Sequence, residues 1–85
     1  HVGYAPHVGW SGAVCVAASL QLAAAMPAFT SFECMCVGNP LRDALAIEPI
    51  GAACVLVDGK LPVPQGPGLG ITIDMDAVER YRVDR

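Results

Sequence analysis

The sequence predicts an α/β fold, because two short apolar segments flank one long apolar helix in the first half of the chain. Val2–Ala5 reads as a first strand that stops at the Pro-His pair, and Phe29–Cys36 (FTSFECMC) reads as a second strand. Between them, AVCVAASLQLAAA predicts a helix from Ala13 to about Ala25. A strand, a helix and a strand in this order form a βαβ unit, whose strands run parallel.

The helix is predicted from its ends as well as from its composition. Ser11 is placed to cap the first turn, where backbone donors lack partners. Pro27 pushes Met26 out of helical geometry and ends the helix. Only Ser19 and Gln21 are polar within it, so the helix is expected to be buried on most sides.

Two residues with chemistry-bearing side chains follow the predicted strands. His7 comes directly after the first strand, and Glu33 lies within the second. In parallel sheets and in β/α barrels, ligands bind at the carboxyl ends of the strands. The pattern therefore predicts an imidazole and a carboxylate side by side at the functional edge.

Residues 39–85 are predicted to form a tail distinct from the βαβ unit of residues 1–38. Its predicted elements are a helical turn at Leu41–Leu45, a hairpin of Ala53–Val57 and Lys60–Val63 around Asp58-Gly59, a last strand at Ile71–Ile73, and a final helical turn that opens with Asp76-x-x-Glu79 as a capping box. The glycines of Gln65–Gly70 are interpreted as tight turns. A phosphate loop is rejected, because the spacing is wrong and no lysine follows.

The composition favours a piece of a larger assembly. Hydrophobic residues make up 54% of the 85 residues and charged residues only 15%, against about 25% charged in typical proteins. A small domain buries a smaller fraction of its surface than a large one, so it should be more polar than average rather than less. We therefore expect missing chain or a partner subunit to cover part of the surface.

A net charge of −3 argues against nucleic acid as a partner. The apolar run Gly12–Met26 is too short for a membrane span, and no secretory signal is evident.

Four cysteines leave three interpretations open. Cys15 lies in the helix, Cys34 and Cys36 lie in the second strand, and Cys54 lies in the tail. A disulfide framework, a metal site or a thiol redox site would each use them. Their apolar setting favours buried, reduced thiols, which indicates a cytoplasmic protein.

Several short motifs, in this order, resemble one known family. They are Ala5-Pro6-His7, Leu22–Pro27, Phe32-Glu33, Asn39–Arg42, Asp58-Gly59, Val63-Pro64 and Pro67–Gly70. The sequence is similar to the closing section of the mandelate racemase/muconate lactonizing enzyme-like group of the enolase superfamily, and most of all to its acid-sugar dehydratases. The resemblance covers nearly the whole chain.

The resemblance implies the last β/α units of a (β/α)8 barrel, followed by a tail that packs on an N-terminal capping domain outside this chain. It implies an enzyme that uses Mg²⁺ and removes the proton alpha to a carboxylate through an enediolate. His7 would be the general base, or the acid that protonates a departing hydroxyl, and Glu33 would hydrogen-bond the substrate carboxylate. Trp10 follows His7 in the same loop, where it could line the substrate pocket or could simply cover the start of the helix. The magnesium ligands would lie upstream, so the 85-residue chain alone is expected to be inactive.

Other interpretations stay open beside this one. A sugar-acid lactone cycloisomerase or a racemase of the same superfamily would share the proton abstraction, whereas a non-catalytic βαβ binding module would need none. His7 could be a hydrogen-bonded histidine at a strand end, and Glu33 could form an ion pair with Arg42, with Lys60 or with a residue in the missing chain. Arg42 is interpreted as structural. The expected partners are a sugar-acid substrate, the rest of the enzyme and further copies of it in a homo-oligomer.

Overall fold

The computed structural model describes residues 2–34, 37–50 and 58–84. Its helices are α1 (Ala13–Ala25), α2 (Pro40–Leu45) and α3 (Met75–Arg80). Within those ranges, β pairing is confined to isolated bridges. The predicted α1 and the helical turn at 41–45 are confirmed, whereas continuous strands are not seen in the described residues.

Helix α1 begins and ends at the predicted residues, but its N-cap differs from the prediction. Met26 leaves the helix with φ −90° and ψ 119°, the extended geometry that a following proline favours. The predicted Ser11 cap is wrong, because Gly12 is the N-cap and caps without a side chain. The Ser11 hydroxyl instead donates to the carbonyl of Val8 and stabilises the turn before the helix.

The core lies along one face of α1. Ala13, Val16, Ala17, Leu20 and Ala23 are buried, at the spacing of three and four residues that makes one helical stripe. The opposite face, which includes Val14 and Leu22, is about half exposed. The prediction of burial on most sides is therefore wrong for this chain, because an apolar helix is buried only where another element packs against it.

The segments on either side of α1 pair in parallel, as predicted. Tyr4 forms a parallel bridge with Phe29, and His7 forms one with Glu33. We call these stretches the 4–7 segment and the 29–33 segment. Their pairing is broken between the two bridges, so the predicted strands are reduced to two points of contact.

The tail shares its core with α1. Ala46 and Ile50 are buried in the same cluster as Val16 and Leu20, and tail side chains pack against it. An antiparallel bridge joins Ala46 to Ile73, which gives the predicted last strand a partner. Packing of the tail on a capping domain stays a prediction.

The turns of the tail follow the sequence with one correction. Asp58 and Gly59 both have positive φ, 52° and 70°, as a type I′ hairpin turn requires; the preceding hairpin strand, residues 53–57, lies outside the described residues. Helix α3 is capped by Asp74, whose side chain accepts from the N–H groups of Asp76 and Ala77. The prediction of Asp76 as the capping residue is thus wrong by two positions.

Candidate active site

The structure brings together the two residues that the sequence singled out. Nε2 of His7 lies 3.4 Å from Oε1 of Glu33, because the parallel bridge sets the two residues side by side with their side chains on one face. The side chains are 64% and 68% exposed, so a small molecule can reach both. An exposed ion pair adds only about 0–1 kcal/mol to stability, so fold stability does not explain this arrangement.

A tight turn directly after His7 positions its ring. The N–H of Ser11 donates to the carbonyl of Val8 over 3.0 Å, and Gly9 has φ +52°, a conformation that side chains disfavour. A Cβ at Gly9 would lie 3.8 Å from Nε2 of His7. The imidazole therefore lies within van der Waals distance of Gly9, a neighbour that the sequence analysis did not single out.

Trp10 occupies the same turn. Its side chain is 62% exposed, and it follows His7 by three positions. The structure therefore places Trp10 on the turn that leads away from the His7–Glu33 pair. Its role in lining a substrate pocket stays a prediction.

Of the alternative ion-pair partners of Glu33, Arg42 is engaged elsewhere. Arg42 is only 1% exposed and donates from Nε to Asp43 over 2.9 Å and from Nη2 to the carbonyl of Val37 over 3.2 Å. This matches its interpretation as a structural residue. Lys60 lies at a cavity of about 600 Å³ between α1, the 29–33 segment and the tail.

The described residues do not fit a magnesium site by themselves. Nowhere in residues 2–34, 37–50 and 58–84 do three or more His, Cys, Asp or Glu side chains group as metal ligands would. His7 and Glu33 form a pair, whereas Mg²⁺ needs near-octahedral oxygen coordination.

The chain matches the family described as enolase C-terminal domain-like over residues 1–77. The chain belongs to this family. The match covers α1, α2, the His7–Glu33 pair and the start of α3. Membership confirms the resemblance and assigns the chain to the C-terminal α/β part of a TIM-barrel enzyme.

A curated relative in the superfamily is D-galactarolactone cycloisomerase from Agrobacterium fabrum strain C58. It is 40% identical over 86 aligned positions, which cover 92% of this chain and 21% of the relative. The chain thus spans about a fifth of the length of that relative. No solved structure matches the chain significantly.

Two further features of the described part bear on the sequence predictions. None of its helices is long and apolar enough to span a membrane, and α1, the longest, has 13 residues. Cys15 is exposed on α1, which corrects the expectation of a buried thiol. Cys34 is intermediate in exposure.

Proposed function

We propose that this chain is the closing part of a barrel enzyme that removes the proton alpha to the carboxylate of a sugar acid. The observation that carries the proposal is the His7–Glu33 pair, 3.4 Å apart and open to solvent at the ends of two neighbouring parallel segments. Family membership supports it. The enzymatic activity belongs to the whole protein, of which this chain supplies the pair.

His7 is the proposed proton acceptor. Histidine suits this task because it exchanges a proton near neutral pH. Its Nε2 is the atom nearest Glu33, and the ring is accessible from solvent. In a dehydration the same imidazole, once protonated, can return the proton to a departing hydroxyl.

Glu33 is proposed to contact the substrate carboxylate as negative charge builds on it. An ionised carboxylate only accepts hydrogen bonds, so Glu33 must carry a proton to donate one.

Magnesium enters the proposal through the family resemblance. Since the described residues do not group as metal ligands, its carboxylate ligands would come from barrel strands outside this chain. The ion would supply charge stabilisation to the enediolate. What this chain contributes is the proton acceptor and the carboxyl group beside it.

Two reactions follow from the same proton abstraction. Dehydration of an acid sugar is the reaction that the sequence motifs favour. Cycloisomerisation of a sugar-acid lactone is the second candidate, because the relative that shares 40% identity is a D-galactarolactone cycloisomerase. Both begin at a carbon next to a carboxylate or its lactone, and they differ in the bond that breaks afterwards.

The test is a product analysis with the complete enzyme and Mg²⁺. Acid sugars and their lactones are incubated with the enzyme, and loss of water is distinguished from isomerisation by the mass of the products. A product lighter by one water supports the dehydratase, and an isomer of unchanged mass from a lactone supports the cycloisomerase. If the enzyme turns over neither acid sugars nor their lactones, the proposed function is overturned.

Trp10 and oligomerisation extend the proposal. If Trp10 lines the substrate pocket, Trp10→Ala raises KM while kcat changes less, since pocket contacts act on ground state and transition state alike. An unchanged KM removes Trp10 from the site. Assembly into a homo-oligomer is proposed from the family resemblance, and sedimentation of the complete enzyme tests it.

A further inference from the structure

We propose that Pro6 is a positioning residue. It interrupts the parallel pairing at residue 6, one residue before His7, and thereby makes Glu33 rather than Phe32 the neighbour of His7. The catalytic consequence rests on the proposed function. The structural part rests on backbone hydrogen bonds alone.

The bridge between Tyr4 and Phe29, which we call the lower bridge, fixes one register. The N–H of Tyr4 donates to the carbonyl of Ala28 over 2.7 Å, and the N–H of Thr30 donates to the carbonyl of Tyr4 over 2.8 Å. The hydroxyl of Thr30 donates to the same carbonyl over 3.2 Å. A Cβ at Gly3 would come within 2.9 Å of the Thr30 methyl, so the chains lie closely packed there.

The upper bridge has a different register. Tyr4 pairs with Phe29, whereas His7 pairs with Glu33, so the 29–33 segment uses one more residue than the 4–7 segment. The bond that restores the pairing runs from the N–H of Glu33 to the carbonyl of Pro6 over 3.1 Å. One extra residue on one side of a pair is a β-bulge, a device that re-aims side chains.

Proline explains why the shift occurs at this point. A regular parallel ladder that starts at Tyr4–Phe29 would next need the N–H of residue 6 to donate to Thr30, and the N–H of Phe32 to donate to residue 6. Pro6 has no N–H, and it is buried. The first of these bonds cannot form, and the pairing resumes one residue later, at Glu33.

The shift decides which side chain meets the imidazole. In the regular register His7 would face Phe32, and Glu33 would point to the other face, because successive side chains alternate. Phe32 instead packs against the core cluster, and Glu33 lies exposed beside His7. The bulge thus places the aromatic ring inside and the carboxylate at the candidate site.

The first test compares registers by NMR in the complete enzyme, with the residues of this chain isotopically labelled. In the unchanged chain, backbone NOEs are expected between His7 and Glu33. In Pro6→Ala, which restores the N–H, they are expected to move to Phe32. Pro62→Ala, a proline exposed in the tail, is the matched control and should leave them at Glu33; NOEs that stay at Glu33 in Pro6→Ala overturn the proposal.

A register swap provides the second variant. Pro6→Ala combined with Phe32→Glu and Glu33→Phe presents a carboxylate opposite His7 in the regular register. This triple variant is expected to fold, with NOEs between His7 and residue 32, even if Pro6→Ala alone does not fold. An unfolded triple variant, or one with NOEs to residue 33, overturns the proposal.

Kinetics of the complete enzyme test the positioning role. Pro6→Ala should lower kcat about 100-fold, the scale of a misplacement of about 1 Å, with KM nearly unchanged, and the register swap should recover most of the loss. Unchanged kcat beside shifted NOEs overturns the positioning role. If the complete wild-type enzyme turns over no sugar acid, the proposed function is overturned instead, and the NOE result is unaffected.

Discussion

The side-chain amide of Gln21, near the middle of α1, donates to the carbonyl of Pro64 over 2.7 Å and to that of Leu69 over 3.2 Å. Through these two hydrogen bonds, one polar residue of an apolar helix binds the glycine-rich loop of the tail, residues 64–70, to α1. The helix that separates His7 from Glu33 is thus linked to the tail by hydrogen bonds as well as by the shared core.

Gln21→Ala is expected to weaken this attachment. Two lost hydrogen bonds, at about 1 kcal/mol each and partly offset by water, predict a loss of about 1–2 kcal/mol in the free energy of unfolding. Urea denaturation measures it. Gln65→Ala is the matched control, because within the described residues the Gln65 side chain bonds to the nearby Val63 carbonyl over 2.8 Å and not to a distant segment; equal losses in both variants would contradict the attachment.

Gly70→Ala is expected to disturb the same loop. Gly70 has φ +80°, and a Cβ there would lie 2.5 Å from Cβ of Pro64 and 2.9 Å from its carbonyl carbon. Backbone strain and overlap together predict a loss of about 2–4 kcal/mol in the free energy of unfolding.

Gly68→Ala separates the two causes. Gly68 also has a positive φ, 64°, but a Cβ there would meet open space. Strain alone predicts a loss of about 1 kcal/mol at this position. Thermal or urea denaturation of both variants gives the comparison, and the close contact with Pro64 is refuted if Gly68→Ala costs as much as Gly70→Ala.

The contact between Glu48 and Thr72 predicts a pH dependence. The pKa of Glu48 is lowered from its ordinary value of 4.5, mainly because the backbone N–H of Thr72 donates to its carboxylate over 2.6 Å. Because the folded-state pKa is lowered, the carboxylate contributes to stability above the unfolded-state pKa. That contribution disappears as the pH falls through the folded-state pKa.

Comparison of the unchanged chain with Glu48→Gln between about pH 6 and about pH 3 tests this linkage. The difference in free energy of unfolding should be present at the upper pH and should shrink toward the lower one. Glu79→Gln is the control, because Glu79 is exposed and its carboxylate lies 3.6 Å from Nη1 of Arg82. A difference that stays constant with pH would contradict the role of the Glu48 carboxylate.

Local signals in the sequence were sufficient for several features. Helix α1 has the predicted bounds because Pro27 excludes Met26 from the helix. His7 and Glu33 lie at the same edge because the segments that carry them run parallel, whereas the residue that faces His7 is set by the register. Their roles in catalysis stay predictions.

Other features depend on contacts between distant parts of the chain. Gln21 bonds to residues more than 40 positions away, and nothing in its own neighbourhood indicates them. Thr72 donates to Glu48 across 24 positions. At α3, Asp74 and Asp76 both suit a cap, and only the path of the chain selects Asp74.

The register between the two segments required a different kind of information. Alternation of side chains in the second segment is compatible with Phe32 or Glu33 beside His7. The missing N–H of Pro6 was visible in the sequence, but its effect depends on the lower bridge at Tyr4. A register is a property of two strands together, so neither segment alone determines it.

The most direct test of the central claim is exchange of the alpha proton of the substrate with solvent deuterium in the complete enzyme. His7→Asn is expected to slow exchange about 100-fold or more, the scale of lost general-base catalysis, while substrate and Mg²⁺ still bind. Exchange at the wild-type rate in His7→Asn would show that His7 does not take this proton.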